Sequence, residues 1–159
     1  MMNVQNIIDR LREIMDDETL VQLKDELNGY HVADLAYIFQ ELKPDERLQC
    51  FKLLELEKAA DIMEYLPPQM QVELLSDIDE NLASQILTQL PHDAAADVLG
   101  DMEDDESETY LDKLPHKFSE EVRELLTYNE DTAGGIMNPV VLTVNSDMSV
   151  QDVLNHIRI

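Results

Sequence analysis

The side chains of this 159-residue chain that could do chemistry are mostly carboxylates: 35 Asp and Glu stand against 11 Lys and Arg, a formal net charge of -24. The imbalance is concentrated between Lys58 and Lys113, where no Lys or Arg occurs and 15 Asp and Glu fall from Asp61 to Asp112. Helical surfaces ordinarily mix the two signs. Two readings stay open, a merely solvating face or a surface awaiting cations or a basic partner. Carboxylate oxygens suit hard cations. Nucleic acid is not an expected partner, because a phosphate backbone is held by basic patches that release counterions.

Other chemistry has no pattern to support it. There is no Gly-rich phosphate loop and no nucleophile–base arrangement, so no enzymatic activity is expected. His31, His92, His116 and His156 show no metal-ligand spacing with one another or with Cys50, and are expected at the surface or at helix caps. Cys50, within Leu48-Gln49-Cys50-Phe51, reads as a small core residue, and Met63, Met70 and Met102 as core. No apolar run approaches the roughly 20 residues needed to cross a bilayer. The acidic start, Met1 to Asp17, lacks the regions of a signal peptide. The chain is expected to be soluble and not inserted in a membrane.

The elements that must carry the carboxylates follow from an internal repeat. Leu42, Leu66, Leu90 and Leu114 recur every 24 residues, each at or just before a proline, dividing the chain into units 31–54, 55–78, 79–102 and 103–126. Apolar columns keep the same phase: Ile38, Ile62, Ile86 and Tyr110, then Phe39, Met63, Leu87 and Leu111, then Cys50, Leu74, Val98 and Val122. Spacings of three and four between columns are those of amphipathic helices. Each unit therefore reads as two short helices broken at the leucine–proline step, where proline suits a helix start. Such helices are marginal alone and must stack. The run Glu103-Asp104-Asp105-Glu106 reads as a solvated helix start, where negative charge complements the macrodipole. Ahead of the units, Val4, Ile7, Ile8, Leu11 and Ile14 mark one helix. Leu20, Leu23 and Leu27 mark a second, closed by Asn28-Gly29.

After Tyr128 the pattern changes. Ala133-Gly134-Gly135 is turn-rich, Val140-Val141-Leu142-Thr143-Val144 has the β-branched density of a strand, and Ser146 or Ser149 caps a helix bearing Val150, Val153, Leu154 and Ile157. A strand and a helix cannot bury a core by themselves. Residues 129–159 thus read as a linker and the interrupted start of an α/β domain, with residues 136 to 159 expected to pack poorly on the stack. The fold expected overall is an all-α superhelical stack of helical hairpins over residues 1–128, followed by that α/β fragment.

The segment Tyr128-Asn129-Glu130-Asp131-Thr132-Ala133-Gly134-Gly135-Ile136-Met137-Asn138-Pro139, with Ser149-Val150-Gln151-Asp152-Val153-Leu154 behind it, resembles the junction between the N-terminal domain and the first CBS domain of MgtE-family magnesium transporters. The acidic helical repeat is similar to that family's superhelical N domain, so the resemblance spans essentially the whole chain. It implies a longer parent, a homodimer with two CBS domains, a connecting helix and a membrane pore, whose N domain lies at the cytoplasmic face of the membrane. There Mg2+ ions bridge it to its own CBS domains and favour pore closure. By the same resemblance the carboxylates facing the CBS domain are Asp61, Asp93 and Asp97. Asp93 and Asp97, four apart, share one helix face and repel each other when no cation lies between them. Magnesium commonly takes one or two carboxylates and keeps several waters, which a sparse carboxylate surface can satisfy. A helical-repeat scaffold like the flagellar motor switch protein FliG is the alternative, and a CBS-regulated enzyme subunit a third reading.

Overall fold

The computed structural model describes residues 4–16, 20–129, 132–135, 137 and 144–157. Among these, the chain forms eleven helices and no strand. An opening pair, α1 (Val4–Asp16) and α2 (Leu20–Gly29), precedes four hairpins: α3 (Val32–Glu41) with α4 (Pro44–Phe51), α5 (Leu56–Met63) with α6 (Pro68–Asp77), α7 (Glu80–Gln89) with α8 (His92–Gly100), and α9 (Asp104–Leu111) with α10 (His116–Leu125). The last helix, α11 (Val150–Ile157), stands where Val150, Val153, Leu154 and Ile157 predict one.

Hairpin boundaries keep the 24-residue phase because the same two signals recur in every unit. The first residue of each unit, His31, Glu55, Asp79 or Glu103, is the extended residue that begins the first helix. His31 Nδ1 accepts from the Ala33 amide, and the Asp79 carboxylate accepts from Asn81 and Leu82, satisfying amides that a helix start leaves open. Pro67, Pro91 and Pro115 stand just before the second helices, and Pro44 opens α4. The junction leucines Leu42, Leu66, Leu90 and Leu114 are 3%, 4%, 4% and 6% exposed, as the repeat predicts.

Stacking the hairpins makes two rows. First helices pack in the order α1, α3, α5, α7, α9, and second helices in the order α2, α4, α6, α8, α10. One continuous core runs between them, with Leu11, Leu27, Phe39, Phe51, Met63 and Leu87 among its fully buried side chains. Each such side chain stabilises the fold by about 1.5–3 kcal/mol relative to its exposed state. The opening pair belongs to this core: Ile7, Ile8, Leu11, Ile14, Leu23 and Leu27 are buried, whereas Leu20 is exposed. Cys50 is fully buried, and burial raises its thiol pKa to about 12.

A further regularity fastens the hairpins. The residue seventeenth in each unit lies early in the second helix, beside the carbonyls that end the first. At that place Arg47 donates from Nε to Phe39 O at 2.8 Å and from Nη2 to Leu42 O at 2.9 Å. Gln71 donates from Nε2 to Met63 O and, at 3.1 Å, to Leu66 O. Ser119 donates to Leu111 O at 2.8 Å. In unit three the residue is Ala95, fully buried and without a donor.

Beyond α10 the chain turns back on the stack. Thr132 N and Oγ1 both donate to Asn129 O, and the Gly135 amide donates to Thr132 Oγ1. Gly134 lies under the Tyr128 ring so closely that a Cβ there would stand 2.5 Å from a ring carbon, so any side chain requires the ring to move. Met137 packs partly buried against the core, so the expectation of poor packing fails at that residue. It holds further on, where Val144 to Val150 are exposed and α11 leaves Val150, Leu154 and Ile157 exposed. Ser149 caps α11, exchanging hydrogen bonds with Asp152. The strand expected over residues 140–144 falls almost wholly on residues 140–143, which lie outside the described residues.

Candidate cation-sensing surface

Asp61 sits in the middle of α5, on the side away from Ala59, Ala60, Ile62 and Met63, all of which are buried. Its own side chain is exposed, one turn before Glu64. Asp93 and Asp97 are both on α8, as their spacing requires, but their surroundings differ. Asp93 lies in the first turn, where the helix macrodipole favours a carboxylate. It is half-buried, and its Oδ1 is buried with no hydrogen-bond partner. Asp97 is exposed and borders two clefts.

The larger cleft, about 320 Å³, has Leu66, Leu90 and Val98 along its floor and Glu64, Asp97 and Asp101 at its rim. The smaller, about 160 Å³, lies between the ends of α8 and α10 and the turn after α10, lined by Gly100, Leu126, Tyr128 and Gly135. Asp97 thus shares a cleft with two carboxylates that sequence reasoning did not single out, Glu64 and Asp101. Asp101 could have been found, being four residues after Asp97. Glu64 could not, because only the packing of one hairpin on the next brings the end of α5 to α8.

The three expected residues do not converge. Asp61 belongs to the row of first helices and the two α8 residues to the row of second helices. Among the described residues no group of three or more His, Cys, Asp or Glu is arranged to hold a metal ion. The donor set nevertheless fits magnesium in one way: separate carboxylates, one with a buried and unpartnered oxygen, suit an ion that keeps most of its water and shares its protein ligands with a second surface. A closed cage does not fit.

One histidine bears on α8. His92, expected at the surface or as a cap, instead tucks its ring against Phe118 at 4.2 Å between centroids and approaches Glu121 with Nε2 at 2.8 Å. The reason is the tight packing of α8 on α10, which turns the first residue of α8 inward. His116 is exposed beside Glu120, and His156 lies outside the described side chains.

Comparison with known families matches residues 30–131 to the model of the MgtE intracellular N domain. The chain belongs to the MgtE family. A crystal structure of the cytosolic domain of the Mg2+ channel MgtE in complex with ATP superposes with a TM-score of 0.87 at 32% identity, covering 95% of this chain and 62% of that one. The crystal structure of the soluble part of a magnesium transporter gives 0.81 at 19% identity, covering 98% of this chain and 62% of that one, a likeness of fold alone. The chain therefore spans less than two thirds of the length of these two solved chains. A comparison with curated proteins gave no match. The matched span of the MgtE domain takes in all four hairpins and the whole acidic stretch. No helix among the described residues is long and apolar enough to cross a membrane.

Proposed function

We propose that this MgtE N domain is a magnesium-responsive regulatory part of a magnesium transporter or channel, with residues 1–128 as the sensing stack and residues 129–159 leading into the first CBS domain. The observation that carries the reading is the character of α8: Asp93 holds a buried, unpartnered carboxylate oxygen, and Asp97 stands exposed one turn on. Asp61 on α5 adds a third exposed or half-exposed carboxylate in a stretch without a single Lys or Arg.

The mechanism is a balance of charge between this surface and the acidic surface of the CBS domains in the homodimeric parent. Two carboxylates about 4 Å apart repel by roughly 4 kcal/mol at an effective dielectric near 20, and less where salt screens them. Asp61, Asp93 and Asp97 thereby hold the two surfaces apart. A divalent cation bound between them supplies the positive charge that reverses the interaction. Moving a two-state equilibrium from mostly open to mostly closed takes about 5.5 kcal/mol of differential binding, within reach of several weak sites acting together. The domain carries out no reaction of its own in this reading. Its work is done at the cytoplasmic face of the membrane.

The test is protease protection of the full-length protein against magnesium concentration. Replacing Asp61, Asp93 and Asp97 together by Asn is expected to move the protection midpoint severalfold higher in magnesium while helix content is unchanged. Compaction of the triple variant at the unmutated concentration would show that these carboxylates are not the sensing ligands.

A further inference from the structure

Units two and four carry the same end face, and in unit two a further hairpin lies against it. There Met63, Glu64, Leu66, Pro68 and Gln71 form one side of the groove whose other side is unit three, through Leu90, Ala94 and Val98. Two periods on, the equivalent residues Leu111, Asp112, Leu114, His116 and Ser119 line a hollow of about 270 Å³, with Glu120 and Arg123 of the same unit beside them. No fifth hairpin follows among the described residues. Unit four thus repeats a surface that receives a neighbour, at the place where the stack stops.

Three positions change character there. The sixth residue of each unit is Ala36, Ala60 and Ser84 in the first three and Glu108 in the last; the eighteenth is Leu48, Val72 and Ala96, then Glu120. The twenty-first is Phe51, Leu75 and Leu99, then Arg123. Phe51, Leu75 and Leu99 are 1%, 0% and 1% exposed, whereas the Arg123 side chain is 37% exposed and Glu108 and Glu120 face solvent. The Arg123 guanidinium is tied down across the hairpin. Nη1 donates to Glu108 Oε1 on α9 at 2.7 Å, Nη2 to Asp112 Oδ1 just past α9 at 3.0 Å, and Nε to Ser119 Oγ on α10 at 3.4 Å. A helix laid on this face has to strip water from these charges, and charge buried without full pairing is costly. An end face left apolar, by contrast, offers the surface on which repeats stack.

We propose that Glu108, Glu120 and Arg123 form a charged cap that ends the stack and keeps the fourth unit of one copy of this chain from pairing with that of a second. What the cap shuts out is the contact that units one to three make with their neighbours. The proposal goes beyond the magnesium reading and does not depend on it. Two identical ends would meet as a self-complementary pair, so the association it prevents is that of a dimer.

The test gives unit four the residues of unit two, Glu108→Ala, Glu120→Val and Arg123→Leu, in this 159-residue chain. Sedimentation velocity over a concentration series, in EDTA, compares it with the unmutated chain. The triple variant is expected to keep its helix content and to self-associate at least about tenfold more tightly than the unmutated chain. A control with the same kinds of exchange at exposed positions elsewhere, Glu57→Ala, Glu41→Val and Lys52→Leu, is expected to sediment as the unmutated chain does. A folded triple variant whose association falls short of that gain overturns the proposal, and so does a control that associates as tightly as the triple variant. Should the triple variant lose helix content, Arg123→Leu alone is judged by the same comparison, with a gain of at least about threefold expected and a smaller one overturning the proposal. Because magnesium is absent throughout, the magnesium reading stands or falls separately, on closure of the full-length protein.

Discussion

Units one and three share length, phase and a buried junction leucine, yet they hold together by different means. Unit one spends polar groups on its own fold: Arg47 clamps the end of α3, and Glu46 takes a two-pronged bond from Arg12 on α1 while accepting from the Lys43 amide. Unit three has Ala95 at the clamp position and three alanines in a row along α8. It is held by close packing on α10, where Gly100 faces Leu126 and the His92 ring lies on Phe118. Small residues let α8 approach α10 on one side and leave a groove toward α6 on the other. In unit one Glu46 is engaged by Arg12 and the Lys43 amide, whereas in unit three Asp97 and Asp101 are exposed at the rim of that groove. A repeat can thus keep its fold while a few residues at fixed places change how neighbouring copies pack and what they leave exposed.

The strongest way to break this comparison is to remove the clamp of unit one. Arg47 is nearly buried, and Arg47→Ala leaves the carbonyls of Phe39 and Leu42 short of their donors, for an expected loss of about 2–4 kcal/mol. Arg47→Gln is expected to cost about 1 kcal/mol, because Gln71 makes both bonds at the equivalent place. Urea unfolding at constant slope measures both. Equal losses from the two substitutions would mean that the guanidinium's charge, not its hydrogen bonds, holds the junction.

The clamp could not be read from the sequence, and the reason is instructive. Leucines and apolar columns at a 24-residue period are legible because burial demands the same residue type in each copy. The clamp demands only a donor of some length, so Arg47, Gln71 and Ser119 share a phase without sharing a propensity. The repeat boundaries, the opening helices and the buried leucines accordingly followed from pattern alone. On α8, spacing gave Asp93 and Asp97 a common face, but not the burial of Asp93 Oδ1. The presence of Glu64 beside Asp97 and the inward turn of His92 were equally hidden, all three being consequences of how neighbouring helices pack.

A smaller effect sharpens the contrast through pH. The hydrogen bonds from Arg12 hold the Glu46 carboxyl below its ordinary value, against an opposing desolvation, with the Lys43 amide and the nearby positive charges adding to the lowering. A carboxylate depressed in the folded state adds stability above its unfolded value of about 4.3 and loses it as pH falls through the depressed value. The stability difference between the unmutated chain and Glu46→Gln is therefore expected to be constant near neutral pH and to shrink below about pH 4. Denaturant midpoints collected across that range measure it. A difference that does not change with pH would place the contribution of Glu46 in packing and not in its charge.

The smallest effect runs the other way, by restoring a clamp where unit three has none. Ser119 shows that a hydroxyl at this place reaches the carbonyl at the end of the preceding helix, Leu111 O, at 2.8 Å. Ala95→Ser sets the same donor beside Leu87 O. A net hydrogen bond contributes about 1 kcal/mol, from which the lower helix propensity of serine removes about half. The expected result is a gain of about 0.5 kcal/mol in urea unfolding, with an unchanged slope. A loss of more than about 1 kcal/mol would mean that the α7–α8 junction has no room even for one oxygen, as overpacked cores behave. Ala95 would then be there to let helices approach closely, and the missing clamp would follow from that close packing. A gain would mean that the place is vacant, and that unit three does without a fastening it could accommodate.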